Sequence, residues 1–548
     1  MGEAALDRRG GAGSLGLTGR SVRDATFDVF RRRGLTTLFS NPGSTEVPFL
    51  AGLPDDLRFV LALHEGSVVA LATGFAIGRG EPALAILHTT AGLGNAVGAL
   101  ATARVNRAPL VVLVGQQDRR HLAFEPFLAG RLEGLAGAYP VSVEQPVRPQ
   151  DVPGATERAY HRAATHRGPA LVIVPMDDWE APADEEREDA AAGRVLHAAA
   201  VDPEAVDALA VFLASAESPA FVVGAGADDA ETWSALVELA ERLVVPVFQE
   251  SFGARAGFPQ DHPLFAGFLP ADRPRLREKL APYDAVLVVG APVFRQSPFT
   301  PGRFTELQTR IALVTDDADE LHRSPAELAV LAPPAAACRE LVLRVPARDV
   351  APPESFLPPP PPAADEPLHA GHVLAALAER LPRDAVIVEE APVDRPELHE
   401  RLPARMPLGF LSAAMGGLGF ALGGATGVRM ALPERPVVAV VGDGSSIYGI
   451  QALWSAAHYR VGVLFVILSN GGYAIMDRLA ERQGREPPWP SFDVDVAALA
   501  RAFGCAARRI TTHDELLYEL DELVPTLASR EEPVLLDIVI APTQTFAP

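Results

Sequence analysis

The sequence predicts an α/β protein of three doubly wound parallel sheets. Short apolar runs rich in Val, Leu and Ile recur along the chain and alternate with stretches of helical spacing. The 548 residues exceed what one core holds and suggest about three domains. Several runs end on Gly, an acid, His or Asn, the pattern of a sheet that gathers a site at the carboxyl ends of its strands.

Residues 1–18 are Gly- and Ala-rich, carry two arginines and lack an apolar stretch, so they read as a flexible tail rather than a secretory signal. A first unit at 19–190 has candidate strands at 59–63, 83–87, 110–114 and 170–174. A polar, Ala-rich passage at 185–200 leads to a second unit at 201–345, with strands at 220–223, 244–248, 285–289 and 311–314. A proline-rich linker at 346–367, which includes five prolines at 358–362, is expected to be extended and semi-rigid. The third unit, 368–548, has strands at 386–389, 437–441, 463–468 and 534–540. Within it, 408–428 holds no charged residue. Its length would allow a membrane helix, but its crowding with Gly, Ala, Ser and Thr reads as a buried segment that lets backbone approach a ligand.

Composition narrows the function. A net charge of -22 argues against nucleic acid or an anionic membrane surface as partner. The two cysteines, Cys338 and Cys505, have no metal-ligand spacing around them and read as packing residues in a reducing cytoplasm. Lys279 is the only lysine, and no Walker A loop exists to use one.

The third unit carries the sharpest signal. Gly442-Asp443-Gly444 closes the run 437–441, and Ser469-Asn470 closes the run 463–468. Between them Ile450, Leu453, Trp454 and Ala457 recur at helical spacing, so the unit reads strand–helix–strand. In a parallel sheet the two strand ends share one edge, which brings Asp443 and Asn470 together. Both offer hard oxygens suited to Mg²⁺, which takes few protein ligands and completes its shell from phosphates. A diphosphate cofactor held through a metal follows.

The spacing resembles the thiamine-diphosphate signature, with Ser469 in place of the first Asn of the usual pair. Further motifs resemble the benzoylformate decarboxylase family, in the family's order from about residue 20 onward. They are Ser40-Asn41-Pro42-Gly43-Ser44-Thr45-Glu46, Leu63-His64-Glu65, Leu87-His88 with Ala91-Gly92-Leu93-Gly94-Asn95, Val114-Gly115-Gln116-Gln117, Gly290-Ala291-Pro292 and Gly416-Gly417-Leu418-Gly419. The resemblance implies thiamine diphosphate and Mg²⁺ as cofactors. It also implies a pyrimidine-binding first unit and a diphosphate-binding third unit, meeting across a homodimer or homotetramer with shared active sites.

Residue roles follow from the same resemblance. Glu65 matches the glutamate that hydrogen-bonds the aminopyrimidine ring, although an acid at a helix start also complements the helix dipole. Gly416 and Leu418 match the residues that accept from the pyrimidine amino group and wedge the cofactor. Gly442, Asp443, Gly444, Ser445, Asn470 and Tyr473 form the cofactor set, with Asp443, Asn470 and the Gly472 carbonyl as metal ligands. Ser44 matches the serine that holds the substrate carboxylate and His88 the histidine that transfers a proton at the carbonyl-derived oxygen; a helix cap and a core histidine are their structural alternatives.

The chain also departs from the family. Ser297 stands where a second catalytic histidine is usual, and Glu390-Ala391-Pro392-Val393 lacks the family's hydroxyls, leaving backbone amides to serve. In the substrate pocket Ile475 replaces a small alanine, Met476 a leucine and Ser412 a phenylalanine. The function implied is non-oxidative decarboxylation of a 2-oxo acid to an aldehyde and CO₂. Carboligation or aldehyde lysis, with an aldehyde as second substrate, is the close alternative. A flavin-containing acetolactate-synthase-like enzyme, supported by Val223-Gly224-Ala225-Gly226 and Glu250, and a non-catalytic cofactor-binding paralogue complete the readings. The altered pocket predicts slow benzoylformate turnover, appreciable carboligation and acceptance of smaller or aliphatic donors.

Overall fold

The computed structural model describes residues 19–184, 192–196, 198 and 200–542. The tail expected at 1–18 lies outside the described residues, as does part of the passage 185–200. Three sheets of six strands follow one another along the chain, and every paired strand within them is parallel.

The first sheet runs, edge to edge, Arg58–Leu61, Thr37–Ser40, Ala83–His88, Leu110–Gln116, Pro169–Pro175 and Ser142–Glu144. The third runs Phe410–Ser412, Val386–Glu390, Val437–Gly442, Leu464–Ser469, Val534–Val539 and Ala506–Ile510. Numbered by chain order within each sheet, both read 2-1-3-4-6-5. The second sheet reads 3-2-1-4-5-6 from Phe265–Phe268 to Leu328–Leu331, an order seen in dinucleotide-binding folds. Its Gly224-Ala225-Gly226 turn packs closely and also borders a cavity of about 390 Å³ with Glu250, Gly290 and Thr315. The Gly226 N–H donates to the Gly290 carbonyl at 2.8 Å, and a Cβ on Gly224 would come within 2.4 Å of Glu250 Oε1.

The central strands are apolar throughout, as burial on both faces of a parallel sheet requires. Val111, Val112, Val286, Leu287, Val438, Ala439, Phe465 and Val466 are all fully buried. The run expected at 244–248 begins later: Val244 ends helix Ala230–Leu243 in the left-handed region, and the strand spans Val247–Gln249. The uncharged stretch 408–428 contains the strand Phe410–Ser412, a glycine turn and the start of helix Ala421–Ala431. Among the described residues no helix is long and apolar enough to cross a membrane.

Glycine joins the first sheet's layer to the third's. Helix Glu65–Arg79 lies against helix Ala421–Ala431 so closely that a Cβ on Gly74 would sit 2.0 Å from the Gly424 carbonyl oxygen. One on Gly427 would sit 2.0 Å from that of Leu71. Each helix follows the edge strand of its own sheet, so equivalent elements meet. Cys338 and Cys505 are free and buried, and burial pushes both thiols up to about 12.

Candidate active site

At the carboxyl edge of the third sheet, Gly442 pairs in register with Leu468, so Asp443 and Asn470 leave neighbouring strands side by side. Asp443 Oδ2 accepts from the Gly471 N–H at 2.8 Å and Oδ1 from the Gly444 N–H at 2.7 Å. Asn470 Oδ1 accepts from the Gly472 N–H at 3.1 Å. Burial raises the Asp443 carboxyl above the usual carboxylate range, against the pull of the backbone donors; a cation beside it would offset that desolvation. Ala391, Leu418, Gly442, Asp443, Asn470 and Tyr473 wall one cleft, which Gly444, Ser445, Gly472 and Ile475 also reach.

This donor set fits a metal-bridged diphosphate. One carboxylate and one amide oxygen share the cleft, leaving most of an octahedral shell to phosphate and water. The described residues hold no cluster of three or more His, Cys, Asp or Glu, so no all-protein cage competes with that arrangement. Above the cleft, Leu418 is 38% exposed on a turn whose Gly416 and Gly419 adopt φ of 72° and 96°. An apolar side chain held out in this way suits a hydrophobic prop beneath a ring.

Glu390 organises that turn, a role the sequence did not reveal. Its carboxylate accepts from the N–H groups of Gly419, Phe420 and Ala421 at 2.6, 2.8 and 2.6 Å, closing the start of helix Ala421–Ala431. Burial nevertheless pushes Glu390 up to about 7.

The first sheet gathers a different set. Glu65 opens helix Glu65–Arg79, with His64 as its N-cap accepting from the Gly66 N–H at 3.0 Å. Asn41 Nδ2 donates to Glu65 Oε1 at 3.1 Å, and Asn95 Nδ2 to Oε2 at 3.0 Å. Each oxygen thus has its own neutral donor. Both asparagines lie in motifs legible in the sequence, but only the fold points them at Glu65. His88 ends its strand, with Nδ1 2.9 Å from Glu46 Oε2. Ser44 is exposed on the turn after Thr37–Ser40.

Ser297 and Ile475 line one cavity of about 790 Å³ between the second and third sheets, together with Phe268, Met415 and Gly416. Ser412 stands behind this wall: it is fully buried, and Arg395 donates to its hydroxyl at 2.6 Å while also pairing with Glu389 at 2.6 Å. Substitution at Ser412 therefore acts through Arg395, and Met415 occupies the wall instead. Met476 is 43% exposed on helix Ala474–Arg482. No residue of the first sheet lines the Asp443 cleft or the Ser297 cavity.

Comparison with known proteins follows the order of the three sheets. Three family models match in order: the N-terminal TPP binding domain of thiamine pyrophosphate enzymes over residues 20–134, the central domain over 206–341 and the C-terminal TPP binding domain over 397–538. The chain is 38% identical to a benzoylformate decarboxylase of Pseudomonas aeruginosa, covering 96% of this chain and all of that protein. It is 28% identical to a putative acetolactate synthase large subunit of Mycobacterium tuberculosis, over 92% of this chain and 96% of that one. Among solved structures, a thiamine diphosphate-dependent 4-hydroxybenzoylformate decarboxylase of Rhodococcus jostii superposes with a TM-score of 0.90 at 34% identity, covering 95% and 99% of the two chains. A benzoylformate decarboxylase of Polynucleobacter necessarius gives 0.91 at 32% identity, covering 96% and 100%.

Proposed function

The chain belongs to the thiamine pyrophosphate enzyme family, and we propose that it decarboxylates a 2-oxo acid of the benzoylformate type, without oxidation, to an aldehyde and CO₂. The observation that carries the reading is the third-sheet cleft, where Asp443 and Asn470 face one another beneath the exposed Leu418.

Asp443, Asn470 and the Gly472 carbonyl would hold Mg²⁺ against the diphosphate. Gly416 and Leu418 would set the rings. When bound, thiamine diphosphate supplies a nucleophilic carbon and an electron sink for the bond broken with CO₂. Glu65 holds or releases a proton at its carboxylate, which Asn41 and Asn95 keep in place. The Ser44 hydroxyl donates to the substrate carboxylate. His88 moves a proton at the oxygen of the former ketone.

Glu65 lines neither the Asp443 cleft nor the Ser297 cavity of its own chain. A homodimer or dimer of dimers, with the first sheet of one copy closing the third of another, would complete each site. The exposed Met415, Leu418, Tyr473 and Met476 suit such a cover. The two free buried cysteines suit a reducing cytoplasm.

Carboligation is a second reading favoured by one observation. Ser297 lines the cavity where the family resemblance calls for an imidazole, so this chain would supply no proton donor from that position, a condition that would favour an added aldehyde as second substrate.

The test is to load the purified protein with thiamine diphosphate and Mg²⁺, offer aryl and alkyl 2-oxo acids with and without aldehydes, and identify products by mass. Aldehyde and CO₂ are expected, with hydroxyketone when aldehyde is added. A loaded protein that consumes none of the acids would overturn the reading.

A further inference from the structure

The strand order of the first sheet places the ends of Thr37–Ser40, Ala83–His88 and Leu110–Gln116 next to one another. Four residues from these ends build a closed cluster. Glu46, only 2% exposed, accepts from the Gly43 N–H at 2.8 Å through Oε2 and from the Thr45 hydroxyl at 2.5 Å through Oε1. His88 Nδ1 lies 2.9 Å from Glu46 Oε2 and 2.9 Å from Thr45 Oγ1. Among the described residues His88 Nε2 has no hydrogen-bond partner.

Two glycines make the room. A Cβ on Gly43 would fall 2.5 Å from the His88 ring, and one on Gly115 would fall 1.8 Å from Glu46 Oε1. Gly115 pairs directly with His88 across the sheet, so the carboxylate is wedged where the third and fourth strands end. Thr89, the next residue after His88, is held at φ 39°, a left-handed conformation costly for a β-branched residue. The chain thus accepts backbone strain where it aims the ring.

We infer that Glu46 is a positioning residue for His88: it fixes the proton on Nδ1 and leaves Nε2 as the nitrogen presented for proton transfer. The hydrogen-bond inventory compels this tautomer. A carboxylate only accepts, and the one hydroxyl proton of Thr45 already goes to Glu46, so both oxygens facing Nδ1 require a proton there. A neutral imidazole then has its acceptor at Nε2, and an ionised partner makes the contact charge-assisted whenever the ring gains a second proton. The inference rests on the reading of His88 as the proton carrier.

The first test uses the wild-type holoenzyme. With ¹⁵N-labelled histidine and the His88 signal assigned by its loss in His88→Ala, the Nδ1 resonance should be of the N–H type and Nε2 of the unprotonated type. The reverse assignment overturns the inference. The second test is a double-mutant cycle on turnover. Glu46→Gln should lower kcat by about 10–100-fold with little change in KM, the scale seen when a metal-bound histidine loses the group that orients it. In the His88→Ala background the same substitution should change kcat less than about twofold. Equal losses in both backgrounds would mean a purely structural Glu46 and overturn the inference. Should Glu46→Gln fail to fold, Gly115→Ala, which displaces the carboxylate, enters the same cycle with the same two outcomes. A His88→Ala enzyme with undiminished turnover would remove His88 from the proposed mechanism, and the tautomer measurement would still decide whether Glu46 sets the ring.

Discussion

The first and third sheets share the strand order 2-1-3-4-6-5 yet place different chemistry at matching strand ends. After the first strand stand Ser44 and Glu46 in one sheet and Glu390 in the other. The second strand is followed by Glu65 or by the turn of Gly416 and Leu418. The third ends at His88 in the first sheet and leads directly into Asp443 in the third. One edge therefore collects groups that carry protons. The other collects an oxygen donor pair, glycine turns and an apolar prop. One architecture serves both because a parallel sheet fixes only where the loops converge, while loop residues fix what they do there.

The comparison breaks if the first edge turns out to bind and the third to react. Glu65→Gln gives the largest effect: kcat should fall by about 10²–10⁴-fold, since a neutral amide neither gives up nor takes up a proton as a carboxyl group does. Cofactor and Mg²⁺ binding, followed by calorimetry, should stay near wild type. Near-normal turnover of the cofactor-saturated variant would remove Glu65 as the activating group.

Asp443→Ala should do the opposite. Affinity for thiamine diphosphate in the presence of Mg²⁺ should drop by about 10-fold or more, because the lone carboxylate of the donor set is gone. Cofactor titration measures it. An unchanged affinity, or a map with the metal elsewhere, would sink the assignment.

Mixing these two variants, at a thiamine diphosphate concentration too low to load Asp443→Ala, sharpens the division further. If each site takes Glu65 from one copy and Asp443 from another, each mixed dimer regains one intact site. Roughly a quarter of wild-type activity should then return after random exchange. Verified mixed dimers that stay inactive would place both groups in one chain's site.

The smallest expected effect is at the cavity that Ser297 and Ile475 share. Ser297→His should shift products from hydroxyketone toward free aldehyde, and Ile475→Ala should raise kcat/KM for benzoylformate relative to a short alkyl 2-oxo acid. Changes of about 10-fold are expected, for Ile475→Ala the low end of what one altered apolar contact gives. Rapid benzoylformate turnover in wild type without ligation product, unmoved by either change, would refute the pocket argument.

Glycines hold the two edges in their common frame. Gly427→Ala would drive a methyl into the Leu71 carbonyl, 2.0 Å away, and should destabilise the chain by about 1–3 kcal/mol in denaturant unfolding. A neutral result would mean that the helices can slide apart.

Much of this molecule is legible from sequence, for a physical reason. Central strands of parallel sheets are buried on both faces, so Val437–Gly442 or Leu464–Ser469 announce themselves as apolar runs. Edge strands mostly do not, Arg58–Leu61 being the one of six that the run 59–63 anticipates. Ser142–Glu144, Phe265–Phe268, Leu328–Leu331, Phe410–Ser412 and Ala506–Ile510 are short or half-exposed, and none stands out by composition. Strand–helix–strand spacing also sufficed to put Asp443 beside Asn470, because topology forces neighbouring parallel strands to end together. Tertiary structure alone decided which side chains serve which. Asn41 and Asn95 reach Glu65 from separate loops, Glu390 closes a helix some thirty residues further on, and Ser412 turns inward to Arg395 rather than to the cavity. Hydrogen bonds of this kind depend on a few tenths of an ångström and on the direction of a side chain, and a one-dimensional pattern encodes neither until the sheets have brought their edges together.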